Sequence, residues 1–297
     1  MTLEFLKNNY GLQIVYLLFL SVAGTLVFSA ISVAIVIGVY GVSLAELQDT
    51  SMLLENQNGW QILLIMLVLQ TIGMILLPVA IFVLTVFERP RTELKLNLKF
   101  SPIFWYSIIF FSISGLFIVG FLGEINMKIP VPDWMGEVEE NVNATIEFMI
   151  SGGGNGGFFL TIILLSVLPA IGEELFFRGI LQKLFDKVTK NQLTSILITA
   201  TIFSAYHFQF QTFLPRFFMG IMLGYLLVWS GSILVPMLAH FLHNFISIIG
   251  VKYSLNNGLE IENPETDYFV LLVSILVLFG LSYWYYNLYK KNLIKSV

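Results

Sequence analysis

Glu173, Glu174 and Arg178 on one stretch, His207 on a second, and His240, His243 and Asn244 on a third interrupt long apolar runs of this 297-residue chain. All 3 of its histidines belong to that set. A carboxylate and an imidazole that reach one another can hold and activate a water molecule. A second imidazole with a carboxamide can donate hydrogen bonds to the oxyanion that forms when water attacks a carbonyl. Covalent chemistry has less support. Ser166, Ser204 and Ser247 lie near these residues, but none sits in a G-x-S-x-G elbow or an S-x-x-K box. The chain has 0 Cys, which removes thiol nucleophiles and thiolate metal ligands, and no H-E-x-x-H metalloprotease pattern is present.

Spacing gives these residues different tasks. Glu174 and Arg178 are four apart and share a helix face, with the acid N-terminal to the base as such pairs prefer. Arg178 is therefore expected to clamp Glu174 as an ion. Glu173 is turned about 100° away, desolvated and without that partner, which suits a general base working near neutral pH. His240 and Asn244 share a face, as do Phe203 and His207, while His243 sits about 60° off the His240 face. Pro169 and Pro236 each precede an ionisable residue by four, so two bent helices around a wet cavity are expected. Pro is common in membrane helices, so it carries little alone.

The elements that must position this set are membrane helices. The chain is 57% hydrophobic and 11% charged with a mean hydropathy of +0.84, too apolar for a water-soluble globule and the reverse of a disordered composition. Its net charge of −4 offers no basic surface for nucleic acid. A helix needs roughly 20 apolar residues to cross a bilayer. That criterion gives eight spans, near 12–40, 60–87, 103–122, 158–182, 193–210, 216–230, 233–251 and 268–289. The first is read as an anchor and not a secretory signal, because its apolar run is long and Glu4 with Lys7 makes a poor basic leader. The fold class is thus all-α, a polytopic bundle of about eight transmembrane helices. Two Glu and one Arg inside such a bundle would cost roughly 8–10 kcal/mol on the insertion scale before pairing, and residues that expensive usually mark a site.

Charge orients the bundle. Lys7, Arg89, Arg91, Lys95, Lys99, Lys183, Lys187, Lys190, Lys290, Lys291 and Lys295 fall on one face, against Lys128, Arg216 and Lys252 on the other. The positive-inside rule makes the first face cytoplasmic and puts both termini there. Glu124, Asp133, Glu137, Glu139, Glu140 and Glu147, then Glu260, Glu262, Glu265 and Asp267, fall outside. The segment 123–157 reads as a long external loop ending in a Gly-rich flexible linker at 149–157, and 43–59 as an interfacial turn or short helix. The expected organisation is 1–150, N-terminal spans with the acidic loop; 151–255, the helix core with the polar set; and 256–297, a last span and basic tail.

In order along the chain, "GEELFFRG" at 172–179 resembles E-E-x-x-x-R, Phe203 to His207 resembles F-x-x-x-H, and His240 to Asn244 resembles H-x-x-x-N. Together, on three membrane helices, they resemble the CAAX protease and bacteriocin-processing (CPBP, or Abi) family of intramembrane endopeptidases, over about residues 158–250. The resemblance implies a multi-pass membrane hydrolase in which Glu173 and His207 activate the attacking water and His240 and Asn244 form the oxyanion hole. Glu174, Arg178 and Phe203 carry over as structural members. His243 matches no motif position and is expected to be a packed helix residue. No cofactor is expected. If one divalent metal such as zinc binds, Glu173, His207 and His240 are the ligands the resemblance suggests. Expected partners are membrane lipids and a protein or peptide substrate, prenylated or not, in the plasma membrane if the source is bacterial. Oligomeric state stays open. The competing readings are a non-catalytic scaffold or immunity factor of the same family, and a small-solute or proton transporter; the lack of an internal repeat counts against the last.

Two further features have plainer readings. The aromatic stretch 283–289 before Lys290 and Lys291 reads as an interfacial belt. Gly220 and Gly224 form G-x-x-x-G, expected to serve a helix contact inside the bundle more than a dimer face.

Overall fold

The structure is a computed structural model that describes residues 6, 8–96, 103–259 and 266–295. Among the charged residues used above, Glu4, Lys7, Lys99, Glu260, Glu262 and Glu265 lie outside the described residues. The described chain is helical throughout: α1 (Tyr10–Tyr40), α2 (Leu44–Gln48), α3 (Thr50–Glu55), α4 (Gly59–Val86), α5 (Pro90–Glu93), α6 (Ile103–Met127), α7 (Asp133–Ser151), α8 (Gly154–Thr189), α9 (Gln192–Ala205), α10 (Phe213–Ser230), α11 (Leu234–Asn257) and α12 (Tyr268–Lys295). Seven of these, α1, α4, α6, α8, α10, α11 and α12, are long and apolar enough to cross a membrane. The span expected at 193–210 is the shorter α9, which stops at Ala205 because Tyr206 begins a turn and Phe208 takes a left-handed φ of 54°.

The chain alternates between two faces, and the contacts between connecting segments respect that alternation. On the basic-rich face Lys183 Nζ meets Glu93 Oε2 at 2.8 Å, and the Ile233 N–H donates to Lys95 O at 3.1 Å. On the acidic face Gln209 meets Glu139, Asn126 meets Phe210, and Thr266 meets Glu124. Many side chains exposed along α1 and α12 are large and apolar, among them Phe19, Leu26, Phe269 and Phe279. The buried core inside joins residues from distant parts of the chain, including Leu17, Phe82, Phe111, Phe177, Phe203 and Tyr285.

Several local expectations are corrected. The segment 123–157 is not a loop with a flexible tail. α6 runs on to Met127, α7 is an amphipathic helix of 19 residues, and only a two-residue joint, Gly152 and Gly153, separates α7 from α8. Gly153 has φ +70°, and a Cβ there would stand 2.8 Å from the Trp60 ring, whose Nε1–H donates to Met149 O at 3.2 Å. The joint is packed against an indole, which is why Gly is required and why it is fixed. Segment 43–59 does contain short helices, the first closed by a Ser43–Glu46 capping box. Within the aromatic stretch of α12, Tyr283 and Tyr286 are exposed, but Tyr285 is buried and shares a 2.7 Å hydrogen bond with Ser107. That ring holds α12 to α6 and is no part of an interfacial belt.

Candidate active site

α8 carries the two carboxylates and is not a regular helix. Its backbone widens to π-type turns at Ile163–Val167 and again at Glu174–Leu181, distortions that recur at functional positions. Pro169 lies just after the first. Its missing N–H leaves Leu165 O without the usual donor four residues on, and Asn244 Nδ2 donates to that oxygen at 3.3 Å from α11. Pro236 behaves differently from the expectation of a bend. It is the third residue of α11, where an N–H has no intrahelical partner to lose. The Ser232 carbonyl four residues back accepts from Ser230 Oγ at 3.0 Å.

Glu174 and Arg178 pair as their spacing predicts, with Nη1 to Oε1 at 2.9 Å and both side chains fully buried. Arg178 Nη2 donates to Gly220 O at 3.2 Å, and its guanidinium lies 4.5 Å from the centre of the Phe203 ring. The first of these contacts needs α10 close by, and Gly220 allows it: a Cβ there would meet Ala200 Cβ at 2.9 Å. Gln182 Nε2 donates to Gly224 O in the same way at 3.3 Å. The G-x-x-x-G pair is therefore used within the bundle, against α9 and the polar side chains of α8.

Glu174 has a second partner on another helix. His240 Nδ1 donates to the same Oε1 at 2.8 Å. His240 is 2% exposed, and this bond turns its Nε2 towards Glu173, 4.0 Å from Oε2. His207 approaches the same oxygen from α9's end, with Nε2 also at 4.0 Å. Its Nδ1 is 2.8 Å from Phe203 O. A carbonyl only accepts, so Nδ1 carries the proton, and in the neutral ring Nε2 presents a lone pair. Glu173 Oε2 is buried and has no hydrogen-bond partner in the protein. Phe203 sets its ring edge-on to both imidazoles, at 5.2 Å from His207 and 6.0 Å from His240.

Glu173, His207 and His240 thus converge on one point, with Glu174, Arg178 and Phe203 behind them. Asn244 stands one turn beyond His240, engaged with Leu165 O. His243 faces elsewhere, onto a cavity of about 20 Å³ lined by Ser112, Gly115 and Met222 among others. The three serines considered above are occupied: Ser166 donates to Phe241 O at 3.1 Å, Ser204 to Phe213 O at 2.6 Å and Ser247 to His243 O at 2.9 Å. Among the described residues no cluster of His, Cys, Asp and Glu has the disposition of a metal site. A tetrahedral zinc with bonds of ~2.0–2.1 Å holds its ligand atoms about 3.3 Å apart. Glu173 stands 4.0 Å from either imidazole, so these residues do not fit zinc as they are placed.

Arg216 is a polar residue that sequence reasoning left among the loop charges. It is the fourth residue of α10 and lies within electrostatic reach of Glu173, His207 and His243. Its position four residues after Thr212, at the mouth of an apolar run, was the available signal.

Residues 155–246 match the family model for type II CAAX prenyl endopeptidases, Rce1-like. The match holds every motif residue from Glu173 to Asn244, and it agrees with the family that the three motifs resemble. Among curated proteins the chain is similar to the uncharacterized protein YyaK of Bacillus subtilis, 28% identical over 147 residues, 42% of this chain and 47% of the relative. It is also similar to the uncharacterized protein YpbD of Bacillus subtilis, 31% identical over 96 residues, 31% of this chain and 46% of the relative. An uncharacterized 24.3 kDa protein of Escherichia coli is 32% identical over 85 residues, 27% of this chain and 39% of the relative. The chain spans less than half the length of each of these relatives. No solved structure gives a significant match.

Proposed function

We propose that this chain is an intramembrane endopeptidase that hydrolyses peptide bonds with a water held between Glu173 and His207. One observation carries the reading: a buried carboxylate oxygen, unpartnered in the protein, stands 4.0 Å from the Nε2 of two histidines on two other helices. Such a gap is too long for a direct hydrogen bond and suits a bridging water, which at ~2.8 Å from each group would subtend about 90°. A buried carboxylate oxygen left unsatisfied for no purpose costs about 1–3 kcal/mol or more. Glu139 Oε2 and Glu174 Oε2 are unpartnered too, and Glu173 Oε2 differs from them in facing the Nε2 atoms of two imidazoles, which favours the hydrolytic reading over a scaffold.

In the proposed reaction the water donates one hydrogen bond to His207 Nε2 and gives a proton to Glu173 as its oxygen attacks the scissile carbonyl. The oxyanion forms beside His240 Nε2, which donates to it when the ring carries both protons. The Asn244 amide has a second N–H beyond the one given to Leu165 O, and that hydrogen is available to the same oxyanion. Glu173 then passes its proton to the leaving amine. Glu174 and Arg178 hold the His240 ring in place and take no direct part. No cofactor is required.

The proposed substrate is a membrane-anchored protein or peptide that carries a long hydrocarbon chain. The matched family's description names prenyl endopeptidases. In this chain a cavity of about 520 Å³ lies between α8 and α11, walled by Ala170, Ile171, Leu175, Met237, Leu238 and Phe241 and by no polar side chain. Those helices are the ones that carry Glu173 and His240. The test uses the full chain in lipid nanodiscs with a quenched fluorogenic peptide ending in farnesyl-Cys-aliphatic-aliphatic-X, alongside comparative membrane proteomics of a Glu173→Gln strain and its parent. Cleavage by the parent alone, or a precursor that accumulates only in the variant strain, supports the reading. Equal cleavage by Glu173→Gln with no accumulating precursor would refute it.

A further inference from the structure

His207 stands two residues into the turn that joins α9 to α10, at 206–212, and that turn is tied down from outside by an acidic-face helix. Gln209 Nε2 donates to Glu139 Oε1 at 2.9 Å, and Thr212 Oγ1 donates to the same oxygen at 3.1 Å. Arg216 closes the ring from the other end. Its Nη2 donates to Gln209 Oε1 at 2.6 Å and its Nη1 to Thr212 Oγ1. Gln209 accepts through Oε1 and donates through Nε2, and the Thr212 hydroxyl both accepts and donates, so Arg216 and Glu139 are joined by two parallel relays across the turn. Glu139 is 5% exposed and Gln209 7%, and hydrogen bonds to charged groups in such surroundings are roughly twice as strong as neutral ones.

A second set of contacts fixes the same turn. Asn126, at the end of α6, donates to Phe210 O at 2.9 Å and accepts from the Leu214 N–H at 2.7 Å, so it caps α10, whose own Thr212 gives no side-chain cap. Trp134 packs edge-on against Phe210. Backbone that leaves the helical pattern at membrane depth must be satisfied by protein or water. Here it is held by residues 70 to 88 positions earlier in the chain.

We infer that Glu139 and Arg216 are positioning residues for the hydrolytic site, setting the His207 imidazole through the Gln209 and Thr212 relays. The inference rests on the reading of His207 as a site residue. It assigns to α7 a role in the reaction although none of its residues touches Glu173, His207 or His240. Displacement of a reacting group by about 1 Å can cost 10²-fold in rate, so a loosened turn should lower kcat and leave KM in place.

The experiment compares Glu139→Ala, Thr212→Val and Glu139→Gln in the full chain in nanodiscs. One arm records ¹⁵N NMR of the imidazoles in histidine-labelled protein, assigned through His243→Asn and His207→Asn; the other follows hydrolysis of the farnesylated fluorogenic peptide. Glu139→Ala and Thr212→Val should shift or broaden the His207 resonances, leave those of His240 in place, and lower kcat by roughly 10–100-fold at constant KM. Glu139→Gln, which keeps an acceptor oxygen, should restore both. Unchanged His207 resonances in folded Glu139→Ala protein would overturn the inference, as would equal perturbation of His207 and His240. If the parent does not cleave the peptide, the prenylated-substrate reading fails, the precursor comparison decides the protease reading, and the NMR arm still decides whether Glu139 positions His207.

Discussion

His240 and Arg178 share one oxygen: Nδ1 of the first and Nη1 of the second both donate to Glu174 Oε1, at 2.8 and 2.9 Å. The two adjacent glutamates are thereby divided. Glu174 is fully committed on that oxygen, and Glu173 is left facing the imidazoles. Substituting them should therefore separate stability from activity. Glu174→Gln breaks a fully buried ion pair, a change that costs about 3–5 kcal/mol, and should lower the melting temperature in detergent as well as abolish hydrolysis. Glu173→Gln should abolish hydrolysis and leave the melting temperature equal or higher. Thermal unfolding of both variants, read beside peptide cleavage, checks the division; equal destabilisation would reject it.

Gly220 gives a test of how α8 is held. A Cβ would fall 2.9 Å from Ala200 Cβ and 3.0 Å from Ala200 Cα, so Gly220→Ala should push α10 from α9 and weaken the Arg178 bond to Gly220 O. Overpacking of this kind costs about 1–3 kcal/mol. Gly38, where a Cβ meets nothing within 4 Å, serves as the control, and its Ala variant should melt no lower than the parent.

Asn244 has two tasks in the reading above, and Pro169 separates them. Asn244→Ala removes the donor to Leu165 O and should cost about 0.5–1.5 kcal/mol. In a Pro169→Ala background residue 169 regains an N–H that Leu165 O can accept. The stability loss of Asn244→Ala should then shrink, while its loss of hydrolysis persists if the amide serves the oxyanion. A double-mutant cycle in melting temperature, with cleavage assayed in parallel, measures both. Full recovery of cleavage would assign Asn244 to the helix alone.

The spacing of Glu173 from the two imidazoles predicts indifference to metal. Treatment with EDTA or 1,10-phenanthroline should leave hydrolysis unchanged, and elemental analysis of the purified chain should find well under one zinc per molecule. Loss of activity restored by zinc would require the three side chains to draw together, and would replace the water-only reading.

Acid should loosen the basic-rich face slightly. At Glu93 burial raises the carboxyl pKa, but the Lys183 hydrogen bond, the Arg89 and Glu88 backbone N–H groups and the Lys183 charge outweigh it and hold the group below the ordinary value. A depressed folded value means stabilisation present above the unfolded pKa and lost as pH falls through the folded one. Both side chains are about a third exposed, so no more than ~1 kcal/mol is involved. Glu93→Gln should therefore melt lower than the parent at pH 7, and the difference should close as pH falls below the ordinary carboxylate range.

The charged centre was legible because its grammar is local. Glu174 and Arg178 are four residues apart on one helix, and an acid and a base so placed amid apolar neighbours have only each other to pair with along that helix. The convergence of Glu173, His207 and His240 was readable only as an expectation from motif order. Other features depend on pairs that no local pattern links. Asn244 and Leu165, Glu139 and Gln209, and Tyr285 and Ser107 are 79, 70 and 178 residues apart. α7 was missed for a different reason. Its Met135, Val138, Val142, Ile146 and Met149 recur at spacings of three and four, but the acidic residues between them lower the average hydropathy and mask the periodicity.

The brevity of α9 has a consequence for the surrounding lipid. Its 14 residues rise about 21 Å, against a hydrocarbon slab of about 30 Å. A bilayer beside such a helix must thin, or water must dip towards His207, at a modest elastic cost per ångström of mismatch. Turnover should accordingly follow acyl-chain length, faster in short-chain phospholipid than in long, so that membrane thickness itself becomes a control on this molecule.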